Sequence, residues 1–401
     1  MSRVVFSYFI PKRCRSVRLA VLFALSFFVF VLFRRYWVEI NLGPTYDVLD
    51  IRLTKDQTGI QFCPVCFGRN DHVCEGILDS TIQLRIKKEK WTPRSQGSTW
   101  NGKNISIKHF RNATEFYRLD NELCSHIGKI NTPCEVQVVV WKSFLHLLSL
   151  ERAMKETMSC PSKRLVEKVK EFYTGHSARD LSIMELASTL HVNQEPVIFQ
   201  VFPARKGWPF PNFYGVCGRT VVIEDTGAPL DSFLSAPWKE RAKLALEIIK
   251  IAKYLTNNPQ QWGLYLAEIK LDMFAVKNGT VRLADANDIL VVDFLDSSIK
   301  AESKRTVNEC GDTEQDCLSF FPQELCQGTI RDHNFYAVCR RLLSNVGDKK
   351  GLLHTPNQEK EFEVLLEDAL NECVTAQTIT REEGIDLIAG LLQRKIYVTQ
   401  G

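Results

Sequence analysis

Residues 261–288 (QWGLYLAEIKLDMFAVKNGTVRLADAND) gather the side chains best suited to chemistry: Glu268, Lys270 and Asp272 on alternate positions before a short apolar run, and Asp285 after a second one. Carboxylates placed in this way can accept a proton or hold a hard cation and, with it, a phosphate. Met273–Val276 reads as a strand, Asn278-Gly279 as the favoured pair for a tight turn, and Val281–Ala284 as the returning strand. Antiparallel pairing carries Asp285 back beside the Glu268–Asp272 segment, so that acids converge at one end. Taken alone, acids around a hairpin are more often solvated turn residues, and the elements around them have to decide between the two readings.

Upstream, Ala245, Ile248, Ile249, Ala252 and Leu255 recur at helical spacing and predict a helix over Trp238–Leu255 whose apolar face packs under the hairpin. A long helix, an acid-bearing loop, a hairpin and a second acid follow one another in protein kinases. There the first acid aligns the acceptor hydroxyl and the second holds magnesium on the nucleotide phosphates. Trp100–Lys108 predicts a hairpin running into a strand, with Ile105 and Ile107 on one face and Lys108 on the other, where a kinase carries its phosphate-contacting lysine. Gly97 and Gly102 stand nearby, but no G-x-G-x-x-G loop is present. Predicted helices over 115–126 and 178–191 offer Glu115, Glu122 or Glu185 as a partner for Lys108. Val197–Val201 and Thr220–Ile223 predict buried strands around the turn-rich FPARKGWPFPNFYGVCG, and Glu224-Asp225-Thr-Gly predicts a hinge into a second lobe. Asp332 predicts an acidic cap on a helix, with His333 as a cap-region or packing residue.

The chain has 401 residues, 45% hydrophobic and 24% charged, enough for two or three compact units. A net charge of +4, spread without a dense basic and aromatic stripe, excludes nucleic acid as the expected partner. Leu19–Phe33 is an apolar run of 15 residues with Lys12, Arg13, Arg15 and Arg18 before it and Arg34, Arg35, Tyr36 and Trp37 after it. No small-residue cleavage site follows, so an uncleaved anchor over residues 19–35 is expected rather than a signal peptide, with residues 1–18 cytosolic and the remainder lumenal. A span this short suits the thinner endoplasmic reticulum and Golgi membranes. Of 13 cysteines only Cys14 precedes the anchor, and the even number beyond it suits disulfides in an oxidising lumen. Cys63, Cys66 and Cys74 form one cluster, and Cys310, Cys317, Cys326 and Cys339 a second that is expected to staple the region after the hairpin. Asn104, Asn112 and Asn278 open glycosylation sequons. The expected organisation is a cysteine-containing stem over 36–96, an N-lobe over 97–225 and a C-lobe over 226–401.

CPVCFG (63–68), CPSKRLVEKV (160–169), GWPFPNFYGVCGR (207–219), APWKERAKLALEI (236–248), LTNN (255–258), LYLAEIKLDMFAV (264–276), CLSF (317–320), DHNFYAVC (332–339) and GLLH (351–354) occur in order over residues 60–375. In these segments the chain resembles the divergent protein kinase domain 2 family, also called the deleted-in-autism family. The resemblance implies a divergent, disulfide-rich, two-lobed kinase-like fold of the α+β class in a secretory-pathway protein, with some members secreted. It assigns nucleotide binding to Lys108 and Glu115, the metal ion to Asp285, and a structural role to Asp332. Two positions depart from the kinase pattern: Glu268 stands where the catalytic aspartate belongs, beside Lys270, and Met273 where a metal-binding asparagine belongs. A thioether is a poor ligand for magnesium, which leaves Asp272 as a substitute. Two functions are therefore expected: a pseudokinase that signals or scaffolds through a lumenal or extracellular protein partner, or an active kinase using ATP with Mg or Mn. A type II glycosyltransferase fits the anchor but would need an Asp-x-Asp motif, and Asp285-Ala-Asn-Asp288 has the wrong spacing.

Overall fold

The computed structural model describes residues 68–69, 71–79, 81–84, 96–109, 121, 160–173, 186, 189–190, 193–296, 322–328, 330–354 and 360–398. All of them belong to one compact unit spanning residues 50–84 and 92–401. The apolar run 19–33, Cys63, Cys66, Asn112, Glu115, Glu122, Glu185, Cys310 and Cys317 lie outside the described residues. Among the described residues no helix is long and apolar enough to cross a membrane.

The N-terminal part is an antiparallel sheet of six strands. In chain order these are β1 (Gly68–Arg69), β2 (Ile82–Leu84), β3 (Gln96–Trp100), β4 (Lys103–His109), β5 (Phe213–Gly218) and β6 (Thr220–Glu224), and they lie side by side as β1-β5-β6-β4-β3-β2. Helix α1 (Asp71–Leu78) sits between β1 and β2 in the chain, so this layer includes residues that the sequence reading gave to a stem. A Cys74–Cys217 disulfide fastens α1 to β5. The β3–β4 turn consists of Asn101 and Gly102, with φ of 48° and 74°, a conformation Asn and Gly tolerate and which matches the twist of the paired strands. On β4, Ile105 and Ile107 pack with Val73, Ile77 and Val222. Lys108 faces the other way.

Helix α2 (Lys163–Tyr173) and helix α3 (Glu195–Val201) pack together. The strand predicted over Val197–Val201 is thus a helix. Its residues are almost all buried, and a short, fully buried apolar run has the same pattern in either state. Pro196 decides the outcome, since a residue with fixed φ and no N–H is suited to a first helical turn. Asn193 Oδ1 accepts the Glu195 N–H at 2.8 Å and begins the helix.

After β6 the chain forms β7 (Ala228–Pro229), the long helix α4 (Trp238–Thr256) and β8 (Trp262–Leu266), then β9 (Phe274–Lys277), β10 (Thr280–Leu283) and β11 (Ile289–Asp293). β8 pairs with β11, and β9 lies between β10 and β7. The β9–β10 turn again rests on positive φ, 51° at Asn278 and 76° at Gly279. Asn104 and Asn278 are both exposed. Helix α4 carries Ala242, Ala245, Ile248, Ile249, Ala252 and Leu255 into one apolar core with β8 to β11. Helices α5 (Pro322–Cys326), α6 (His333–Val338), α7 (Lys360–Thr375) and α8 (Arg381–Val398) complete the unit, α6 running on into a π-helical turn over Cys339–Leu343.

Cys326 and Cys339 bond to Cys160 and Cys373, a pairing that the sequence leaves open. One detail differs from expectation. Asp332 precedes α6 but makes no side-chain cap; its Oδ2 accepts instead from Arg381 at 2.9 Å. Arg381 is buried and also donates to Val374 O, so the acid serves a long-range contact rather than its own helix.

Candidate functional site

Lys108 projects from β4 into the space between α3 and the end of β10. Its ammonium donates to both oxygens of Glu195, at 2.8 and 2.9 Å, and to the Ala284 carbonyl at 2.6 Å. An ammonium has three hydrogens, and three protein oxygens receive them. Glu195 is fully buried and also accepts the Ala286 N–H at 2.9 Å. Burial pushes its carboxyl up to about 7, against the opposing pull of Lys108, while the charge of Asp285 adds to the rise.

Gln194 holds the same segment from the other side, donating to Asn287 O at 2.7 Å and Ile289 O at 2.6 Å. Gln194 and Glu195, at the start of α3, therefore fix residues 284–289. Neither was named from the sequence, because the stretch read as a strand approach. Asn193-Gln-Glu-Pro is a helix-start pattern and is the signal that points to them.

The acid loop is anchored from below. Leu266 gives its N–H to Asn334 Oδ1 at 3.0 Å and receives the His333 Nε2 hydrogen on its carbonyl at 2.9 Å. The carbonyl partner calls for a hydrogen on Nε2, and burial pushes the His333 imidazole below its usual range. Asn334 Nδ2 also donates to Leu264 O and Thr256 Oγ1, tying α6, β8 and α4 together. One residue further on, the Ala267 N–H reaches Asp288 O at 2.9 Å.

The hairpin brings the acids together. Ala284 and Asp285 both give their N–H to Met273 O, at 2.8 and 3.1 Å. Asp285 is half-buried and its Oδ1 accepts the Asn287 N–H at 3.1 Å. Burial pushes the Asp288 carboxyl up, and the charges of Glu268 and Asp285 push it further, which places these three acids in one neighbourhood. Glu268 forms an ion pair with Lys270, both of them half exposed.

At the positions where a kinase holds a nucleotide and its metal ion, Lys108 keeps the glutamate pairing that kinases use and adds a bond to Ala284 O, which an arriving phosphate would have to displace. The Met273 side chain lies in the apolar core rather than at the acids. Asp272 is exposed on the turn Leu271–Met273. Among the described residues no three His, Cys, Asp or Glu side chains are grouped to hold an ion.

A family model described as the protein-kinase domain of FAM69 matches residues 187–376, a range that begins just before Gln194 and runs through α7. Divergent protein kinase domain 2A of Homo sapiens and that of Mus musculus are each 30% identical to the chain over 352 residues, covering 78% of this chain and 81% of theirs. Divergent protein kinase domain 2B of Homo sapiens is 26% identical over 275 residues, 62% of this chain and 61% of its own. The similarity spans most of both chains and includes the lysine strand, the acid loop and the hairpin: this chain belongs to the divergent protein kinase domain 2 family.

Proposed function

We propose that the chain is a secretory-pathway pseudokinase, which acts by binding a lumenal or extracellular protein rather than by transferring phosphate. The observation that carries this reading is the hydrogen bond from Lys108 to Ala284 O at 2.6 Å, made in addition to its pairing with Glu195, which takes up the ammonium hydrogen that a nucleotide phosphate would need. Burial of Met273 supports it, since the position that should supply an oxygen to magnesium supplies a core side chain. The apolar run 19–33 with its flanking arginines, the sequons at exposed Asn104 and Asn278, and three long-range disulfides support a lumenal, type II setting. Thermal unfolding of the glycosylated chain with ATP, alone and with Mg or Mn, tests the main point. No change in melting temperature is expected, and a cation-dependent rise would overturn the reading. Sensitivity of the chain to glycosidase, with residues 1–18 open to the cytosol, tests the orientation.

One observation favours an active enzyme. The pairing of a strand lysine with a helix glutamate is among the arrangements that protein kinases need in place for turnover, and here it is formed. In that case Glu268 is the base, and Glu268→Gln removes turnover while leaving nucleotide affinity nearly unchanged.

A further inference from the structure

We propose that the face formed by α2 and the short helix Ala204–Lys206 binds a sulfated glycan. Lys163, Arg164, Lys168, Arg205 and Lys206 come from these two stretches, with Lys163, Arg205 and Lys206 exposed. Arg164 is already matched in charge: it pairs with buried Asp293, donates to Gln260 O and Gln261 O at 3.0 and 2.9 Å, and stacks 3.7 Å over the Trp262 ring. The Arg164 Nε is buried without a hydrogen-bond partner.

Lys168 lies one helical turn further along. Its ammonium sits 6.0 Å over Phe202 and 5.9 Å over Trp262, and neither it nor Lys206 forms an ion pair among the described residues. Burial, and then the positive charges of Lys206 and Arg164, push the Lys168 ammonium below its ordinary value, with only Glu171 acting against them. Like charges gathered at a half-buried position repel one another, and an arriving anion relieves that repulsion. The same gathering makes a positive surface that draws in polyanions.

The form of the surface narrows the ligand. Three of its charges, on Lys163, Lys168 and Lys206, are lysine ammoniums, point charges without the planar fork that grips a single phosphate with two parallel hydrogen bonds, and Arg205 is its one exposed arginine. They are spread over two sides of α2, where Lys163 and Lys168 stand five residues apart, and over an adjoining turn. A chain carrying negative groups at intervals fits such a spread better than one compact dianion does. The choice of a glycan among polyanions rests on the lumenal setting proposed above, whereas the cationic face itself does not.

The test is direct binding of a heparin-derived hexasaccharide to the purified full chain, with its fully desulfated counterpart and a phosphopeptide of equal charge as comparisons. The sulfated sugar is expected to bind, to weaken as salt rises, and to lose at least about tenfold in affinity in Lys168→Gln/Lys206→Gln. Lys250→Gln, on α4 where Lys250 pairs with Glu247, controls for net charge and is expected to bind as the native chain does. Absence of binding at low salt, an equal loss in the control, undiminished binding in the double variant, or preference for the phosphopeptide would each overturn the proposal. Equal urea midpoints for the variants show that folding is intact. These measurements involve no nucleotide, so they succeed or fail separately from the pseudokinase reading.

Discussion

A carboxylate without solvent contact, Glu195 keeps its place because Lys108 and the Ala286 N–H surround it. Removing its counter-charge should be costly. Lys108→Met is expected to lower stability by about 3 to 5 kcal/mol, and adding Glu195→Leu should restore most of that, because a buried charge without a partner is worse than no charge. Urea denaturation of the single and double variants checks this; equal loss in both would contradict it. The pH dependence separates two buried groups. Burial raises the Glu195 carboxyl from 4.5 to about 7, so the folded chain holds that proton more tightly than the unfolded chain. Its contribution is full below the lower value and is lost as pH rises to the upper one. His333 has the opposite sign: burial lowers it from 6.5, so the unfolded chain takes up the proton first and stability is lost as pH falls. Glu195→Gln should therefore make stability rise more steeply with pH than in the native chain across about pH 5 to 7, and His333→Gln should make it fall. Urea midpoints across that range measure the slopes, and three parallel profiles would refute the assignment.

At the scale of elements, the β9–β10 hairpin and the loop before β7 both depend on glycine, for different reasons. Gly279 has φ of 76° with nothing within 4 Å of where a Cβ would stand, so Gly279→Ala should cost only about 1 kcal/mol of backbone strain. Gly227 has φ of 86°, and a Cβ there would lie 2.2 Å from Val276 O, which would force β9 away from the hinge. Gly227→Ala should cost about 3 kcal/mol, and chemical denaturation of the two variants should rank them in that order. Local signals made the hairpin legible: Asn-Gly turns and two-residue alternation act within a few positions. Helix α3 was not legible, because Val-Ile-Phe buried on every side has no exposed face to reveal a period. The consequence was chemical as well as structural, since a strand there hides the glutamate that meets Lys108.

Across the whole molecule, Cys160–Cys326 closes 166 residues of sequence and Cys74–Cys217 closes 143, whereas Cys339–Cys373 closes only 34. A cross-link over a long loop limits the unfolded chain most. Cys160→Ser/Cys326→Ser should cost about 2 to 5 kcal/mol, read from denaturant midpoints of the oxidised protein. An unchanged midpoint would show that this bridge adds nothing to stability. These bridges also connect segments that the sequence separates into different units: Cys74, assigned to a stem, is bonded to a strand of the sheet.

The sequence by itself determined the order of lysine strand, helix, acid loop and hairpin, both Asn-Gly turns, the buried face of α4, and membership of a kinase-like family. Each depends on neighbouring residues or on motifs that keep their order. Tertiary structure alone decided which glutamate meets Lys108, 87 positions away, which cysteines bond, and that Met273 turns into the core while Asp272 stays exposed. Those outcomes depend on which distant surfaces pack together. Many acids and cysteines have the right chemistry, and the packing of the apolar core selects among them by bringing only a few within reach.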